Sequence, residues 1–428
     1  MSASPASSPP ISPRVVVLGG GFGGIGAARE LRKADVSVAL VDGHDYHTFQ
    51  PFLYQVATDL LEVTAVGHPL RDLFHDQANV TIHQADVSAV DLAAREVRCT
   101  DMAPLHYDYL VFALGAEAEF FGVDGAATHA FPLYTLVDAI RLRDHVLRMW
   151  EEADKEPALV DDGALNVVVV GGGPTGVESA GALAELYRSN FAQDYPGLPQ
   201  DRAHIVLVEA GPALLPMFDT EIRSYAKRAL EDRGVEVLLG ETVAAVGPTR
   251  VRLESGTELP AHTLVWGAGL HANPVVASLG VPLQHGHRIP TAPDLSVAGH
   301  PEVFAVGDAA WITDTATDEV LPQLGSVALQ AGEHAGHNIA RLAAGEGTEP
   351  FRYHDKGTMA TICRGAAVIQ TRRGHTLTGR TAFLAWGAVH LALLATGEDR
   401  AKAAVDWTWA AFTHERAGRI SVQEGGRP

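Results

Sequence analysis

Residues 165–185, LNVVVVGGGPTGVESAGALAE, constrain this chain more than any other stretch. An apolar, strand-forming run ends on Gly171, Gly173 and Gly176, and residues 175–186 then suit a helix. In a strand–turn–helix unit of the form G-x-G-x-x-G, the first glycine permits the turn and the second lets the backbone approach a pyrophosphate. The third lets helix and strand pack closely. The pyrophosphate rests on unpaired N–H groups at the helix N-terminus, where Pro174 and Thr175 are the expected cofactor-binding residues. One such pattern is weak evidence, because a plain glycine turn reads the same way. However, RVVVL at 14–18 also leads into Gly19, Gly21 and Gly24, with Phe22 and Gly23 inside the turn and a helix-like IGAARELRKA after it. Two complete units make coincidence a poor account. They predict an α/β fold with two Rossmann-like dinucleotide-binding domains, plus a partly helical C-terminal region.

Each unit should carry an acid at the end of its second strand, placed to accept hydrogen bonds from a ribose. Asp42, after VSVALV at 36–41, takes that place in the first unit, with a simple turn aspartate as the alternative. In the second unit residues 190–204, rich in Pro, Gly and Asp, read as an inserted loop, so that Glu209 takes the place after IVLV. Residues 205–216 contain no Lys or Arg to neutralise a 2′-phosphate, which favours NADH over NADPH.

Between these landmarks, HDYHTFQPFLYQVAT at 44–58 reads as a ligand-contacting loop, with Gln50, Tyr54 and Gln55 toward the cofactor. Residues 80–112 read as inserted strand hairpins followed by the buried strand at 109–114. Ala113 and Gly115 at its end, like Gly267 and Ala268 after TLVW at 263–266, should border the cofactors. A helix is expected at 136–156 and a linker at 157–163. The expected domains are 14–156 and 290–349 for a discontinuous first dinucleotide domain, 164–289 for the second, and 350–428 for a membrane-interface or dimerisation region. Neither His44 with His47 nor His334 with His337 has the partners of a zinc site, so no metal is expected.

At 428 residues the chain can form two or three cored domains. A formal charge of −20 argues against a nucleic-acid partner, whose phosphates need clustered Lys and Arg. Cys99 and Cys363 form no C-x-x-C, so no redox dithiol and no disulfide framework are expected. Residues 1–13 lack the basic start and apolar run of a signal peptide and read as a disordered cytoplasmic start. The apolar stretch 383–396 is shorter than the ~20 residues that cross a bilayer.

With these features in place, the chain resembles the type II NADH dehydrogenases, single-chain NADH:quinone oxidoreductases of the two-dinucleotide, glutathione-reductase-like flavoproteins. The resemblance covers roughly residues 14–370. It rests on VVVLGGGFGG, TFQPFLYQVAT, GGGPTGVE, VWGAGLHANP, HPEVFAVGDAA, LGSVALQAGEH and FRYHDKGTMATI, in family order. It implies non-covalent FAD on the first glycine unit and NADH on the second, with hydride passing between them and on to a quinone without proton pumping. It further implies that Asp308, after Gly307, holds the ribityl chain of the flavin. Glu178 would lie near nicotinamide and flavin, or else merely stabilise its helix N-terminus. Gln330 would stand at the quinone pocket, and Lys356 would anchor the acceptor or an anionic reduced flavin.

Three departures bear on the acceptor. Where the family shows A-Q-x-A-x-Q, residues 325–330 read GSVALQ, so Ser326 replaces a glutamine; Cys363 replaces a glycine; and AWGAVHLALLATG at 385–397 is richer in alanine. A soluble NADH-dependent reductase serving a ferredoxin-like protein or another small acceptor is therefore the alternative. From 398 to the end, Glu398, Asp399, Asp406, Glu415 and Glu424 are balanced by Arg400, Lys402, Arg416, Arg419 and Arg427. This neutral tail carries Trp407, Trp409 and Phe412. With Phe383, Leu384, Trp386, Leu391 and Leu394, it suits weak peripheral contact with the inner face of the cell membrane through 380–415, within a homodimer. A dimer interface alone is the rival.

Overall fold

The computed structural model describes residues 12–413. Residues 1–11, and the charges at Glu415, Arg416, Arg419, Glu424 and Arg427, lie outside the described residues. The chain forms two compact units. The first contains the chain up to His47, Pro69–Glu117 and His271–His354; the second contains Thr48–His68, Ala118–Leu270 and the chain from Asp355 onward.

In the first unit a six-stranded sheet runs in the order Ser296–Val297, His300–Ala305, Tyr109–Phe112, Arg14–Leu18, Ser37–Asp42 and Val80–Gln84. All neighbours are parallel except at the Ser296–Val297 edge. The opening strand lies in the middle and is buried from Val15 to Leu18, as a continuous valine run should be when both faces are covered. The chain returns late to this sheet, with Val303 opposite Leu110. Val80–Gln84 corrects a sequence expectation, since it extends the parallel sheet beside Ser37–Asp42, and the hairpins begin only at Val87. An alternating pattern of five residues does not tell an edge strand of a parallel sheet from a hairpin arm.

In the second unit five parallel strands run in the order Phe131–Pro132, Thr263–Trp266, Val167–Val170, Ile205–Glu209 and Val235–Leu239. The helix Leu136–Lys155 belongs to this unit, so the units do not divide at 157–163, where a short helix Ala158–Asp161 forms instead. Thr135 and Asp138 start the long helix with a capping box. Its Trp150 packs on Tyr187, Phe191 and Tyr195. That cluster draws the expected loop at 190–204 partly into a π-turn over Tyr187–Phe191 and a helical turn over Ala192–Asp194.

The antiparallel sheet Thr358–Cys363, Ala366–Gln370 and Thr376–Thr378 and the helices Gly379–Leu393 and Gly397–Thr413 complete this unit. The segment read as a loop at 44–58 is instead largely helical, with turns at Gln50–Phe52 and Leu53–Ala57. Phe49, Phe52 and Tyr54 are core, and Phe52 packs on Trp386, His390 and Trp407. His68 Nδ1 lies 3.0 Å from Asp399 Oδ1 in a buried pair that fastens the last helix. Among the described residues no helix is long and apolar enough to cross a membrane.

Candidate functional site

The two glycine turns are nearly superimposable in their physics. Gly19 (φ +100°) and Gly171 (φ +107°) occupy the left-handed region, and a Cβ on either would stand 2.3 Å from the Ala113 oxygen or 2.7 Å from the Gly267 oxygen. A Cβ on Gly24 or Gly176 would lie 1.8 Å from the carbonyl oxygen of Gly19 or Gly171. These four glycines are demanded by the chain itself. Gly21 and Gly173 are not, because both have φ −74° and a Cβ there would meet nothing within 4 Å. A side chain at either would fill the space in front of a helix N-terminus. These cradles therefore fit the pyrophosphates of two dinucleotides.

The acids clamp the turns in parallel ways. Asp42 Oδ2 accepts from Gly20 N at 2.6 Å and Oδ1 from His44 N at 2.7 Å. Glu209 Oε2 accepts from Gly172 N and Oε1 from Gly211 N, both at 2.5 Å. Asp42 Oδ2 and the two Glu209 oxygens each have a second lone pair that suits a ribose hydroxyl, whereas Asp42 Oδ1 also faces His44 Nδ1 at 3.5 Å. In the first unit His47 Nδ1 lies 2.9 Å from Gly20 O, and its ring meets Phe22 edge-on, so this histidine backs the turn. A Cβ on Gly23 would touch Val306 at 3.0 Å, which places Gly307 and Asp308 at the same sheet end as the first turn; the Asp308 carbonyl accepts from Gln323 Nε2. Gly115 closes its strand at φ +70°. In the second unit Trp266 Nε1 donates to the Ala268 carbonyl at 2.6 Å, and Gln50 Nε2 donates to the Tyr134 carbonyl at 3.2 Å.

The second glycine helix, Pro174–Leu186, does more than end a turn. A Cβ on Gly181 would lie 1.6 Å from the Ile362 carbonyl oxygen, so helix and Thr358–Cys363 strand meet backbone to backbone. That approach brings Glu178 onto Thr361, whose N–H and Oγ1 donate to Glu178 Oε1 at 3.0 and 3.2 Å. Burial pushes the Glu178 carboxyl up to about 8, although both Thr361 bonds oppose the rise. Glu178 lies on the wall of a cavity of about 860 Å³ that is also lined by Tyr54 and Thr361 and by the apolar Leu60, Ala182, Phe383 and Leu391. Tyr54 Oη bonds Thr361 Oγ1 at 2.9 Å, and burial, with the charge of Glu178 second, holds the phenol well above the usual tyrosine range. Cys363 lines the same cavity, and burial pushes its thiol up to about 12.

The remaining candidates are placed differently. Both ends of the Gln330 amide are used on the backbone of His354, at 3.2 and 3.0 Å, and Ser326 Oγ bonds Tyr353 Oη at 2.9 Å. Gln330 thus braces a turn within the first unit. Lys356 is exposed at the entry to the strand that carries Thr361. His334 Nε2 bonds the Glu349 carbonyl, and His337 pairs with Glu30 and Glu349. Of the C-terminal apolar residues expected at an interface, Trp386 and Leu394 are only 2% exposed and belong to the core. Leu384 and Trp409 are exposed, joined by Val389, Leu393 and Val405; the Phe412 side chain lies outside those described. Thr361 and Trp407 were not singled out from the sequence as site residues. The local hint is confined to Thr361, a hydroxyl between Ala360 and Ile362 with a polar group to satisfy; Trp407, between Asp406 and Thr408, carries none.

The Pyridine nucleotide-disulphide oxidoreductase family matches residues 13–332. The type II NADH:quinone oxidoreductase Ndh of Mycobacterium tuberculosis is 33% identical over 435 residues, covering 98% of this chain and 92% of that protein. NdhA of the same organism, also named a type II NADH:quinone oxidoreductase, is 35% identical over 426 residues, covering 96% and 89%. NDH2 from Plasmodium falciparum, solved in complex with NADH, shares the fold with a TM-score of 0.86 at 19% identity, over 96% of this chain and 100% of that one. With its paired glycine turns and the carboxyl-lined cavity behind the second, the chain belongs to the pyridine nucleotide-disulphide oxidoreductases and, within them, to the type II NADH:quinone oxidoreductases.

Proposed function

We infer that this protein oxidises NADH and reduces a quinone without pumping protons, taking NADH and a quinone with one proton from solution to NAD⁺ and quinol. The observation that carries the reading is the placement of Glu178, on the helix that starts at the second glycine turn and on the wall of an apolar cavity. FAD, bound non-covalently, is the flavin that suits the first turn, where Gly21 leaves room for a pyrophosphate and Asp42, which already clamps Gly20 N, would accept from a ribose. When bound, it supplies the two-electron relay between nicotinamide and quinone. Glu209 would accept from the ribose hydroxyls of NADH and repel a 2′-phosphate. Glu178 holds a proton at neutral pH because its carboxyl titrates near 8, and would give it to a quinone oxygen in the cavity. The apolar walls would exclude water and seat the quinone ring.

Steady-state turnover of NADH with a panel of quinones tests this reading. Turnover with ferredoxin-like or other acceptors but with none of the quinones would replace it by the soluble-reductase alternative. Leu384 at 72%, Trp409 at 55% and Leu393 at 52% exposure support weak peripheral membrane contact through residues 380–415, within a homodimer. Removing the chain after Thr378 would not test this cleanly, because Trp386 and Trp407 pack on Phe52. Liposome co-sedimentation of a Leu384→Ser, Leu393→Ser, Trp409→Ser protein should show reduced partitioning with flavin content unchanged. Partitioning equal to the parent would leave only the dimer.

A further inference from the structure

Glu178 ends a line of hydrogen bonds that begins on the last helix. Trp407 Nε1 donates to Gln55 Oε1 at 2.7 Å, Gln55 Nε2 donates to Tyr54 Oη at 2.9 Å, and Tyr54 Oη lies 2.9 Å from Thr361 Oγ1. Thr361 Oγ1 reaches Glu178 Oε1 at 3.2 Å. An indole N–H can only donate, so it fixes the Gln55 amide with its oxygen toward Trp407 and its nitrogen toward Tyr54. Tyr54 Oη must then accept from Gln55, which leaves its single proton for Thr361 Oγ1. The Thr361 hydroxyl proton in turn has Glu178 as its acceptor. Both hydroxyls therefore point the same way, toward the carboxyl. The line crosses four elements: the helix Gly397–Thr413, the helix Leu53–Ala57, the strand Thr358–Cys363 and the helix Pro174–Leu186. Gln55, Tyr54 and Thr361 are all buried, and in such surroundings aligned hydrogen bonds polarise one another.

We propose that Trp407, Gln55, Tyr54 and Thr361 are positioning residues that keep two donors of the line aimed at Glu178, so that the last helix governs how tightly Glu178 holds its proton. This rests on the reading of Glu178 as the proton donor to quinone. Burial favours the protonated carboxyl, and the Thr361 donors oppose it by favouring the carboxylate. If the Trp407 indole is lost, the Gln55 amide is free to turn over. Its oxygen then competes for the Tyr54 proton, and the direction of the line is no longer fixed. Other titratable and charged groups face the same cavity: Glu185 on the same helix, Arg188 on the following turn, Arg233, Cys363 and Arg364, and Arg380 on the helix Gly379–Leu393. They act on Glu178 in all the variants below and cancel from the comparison.

The test uses the full-length, flavin-loaded protein and two readouts. One is the pH profile of quinone reduction. The other is the infrared C=O band of the Glu178 carboxylic acid, identified by its disappearance in Glu178→Gln and followed through a pH titration without turnover. Thr361→Val should move the loss of the acid band to higher pH, by about tenfold in proton affinity, the scale of one hydrogen bond to a charged group. Trp407→Phe and Tyr54→Phe should move it in the same direction by less, and Thr361→Ser should restore the parent titration. If Trp407→Phe and Tyr54→Phe both titrate like the parent, the line is overturned, while a pH profile that still follows Glu178 leaves the reading of the acid intact. If the band shifts as expected but the reaction's pH profile does not follow it, the line stands and the role of Glu178 as proton donor falls.

Discussion

The two glycine helices start alike and end in different company. Up to their third glycine they share one design: a left-handed first glycine, a third glycine against the first one's carbonyl, an unconstrained middle glycine, and an acid clamping the turn. Beyond it, the first helix, Phe22–Glu30, lies on the helix Gly325–Ala343 at glycine contact. A Cβ on Gly332 would stand 1.9 Å from the Gly23 oxygen, and one on Gly26 would stand 2.7 Å from the Leu329 oxygen. That contact is made of small residues, with charged groups toward its end where Glu30 meets His337, and it holds a platform still. The second helix lies on a β-strand instead, and it puts two carboxyls there: Glu178 takes the Thr361 donors and Glu185 takes the N–H of Arg364. The turn recognises a cofactor, whereas the back face of its helix decides whether the unit also offers a group that can move a proton.

The largest expected effects come from the unconstrained middle glycines. Gly21→Val should give a folded protein that has lost its flavin, seen as loss of the flavin absorbance relative to protein. Gly173→Val should keep the flavin and lose NADH, with kcat/KM falling by a factor on the order of 100 or more. A Gly21→Val protein with full flavin would break the parallel between the turns.

Next in size is Glu178→Gln, which should lower kcat for quinone by about 100-fold, the lower range for a lost general acid. The sign of the pH dependence follows from the raised carboxyl. The acid is protonated below about 8, so parent activity should fall as pH rises through that value, and the glutamine variant should lack this limb. A limb that survives in Glu178→Gln would assign it to another group.

The back faces are separated by Gly332→Ala and Gly181→Ala. Each forces helices or strand apart and should cost about 1–3 kcal/mol of stability, measured by denaturant unfolding. Gly332→Ala should weaken flavin retention and leave the alkaline limb in place. Gly181→Ala should shift that limb, because it moves Thr361 relative to Glu178. The smallest effect should be Glu209→Ala, which narrows the preference for NADH over NADPH by about tenfold, the scale of one charged hydrogen bond. Asp42→Ala should leave that preference unchanged, and equal effects of the two acids on it would erase the distinction between the sites.

What the sequence by itself determined is local. Glycine spacing, the valine runs before it and an acid at the end of the next strand define each turn within a few tens of residues, because they answer to backbone sterics and short-range hydrogen bonding. The same holds for the helix expected at 136–156, which forms over Leu136–Lys155. Tertiary structure decided the rest. Residues 44–58 look like a loop alone, since Phe49, Phe52 and Tyr54 have no periodic pattern, and they become helical core only against Trp386, His390 and Trp407. Glu178 looks like any carboxylate near a helix start until Gly181 brings in a strand from some 180 residues away, with Thr361 at hydrogen-bond distance. The indole of Trp407 meets Gln55 across 352 residues of chain. Such pairings depend on which surfaces bury one another once the sheets have formed, and no neighbouring residue records that choice.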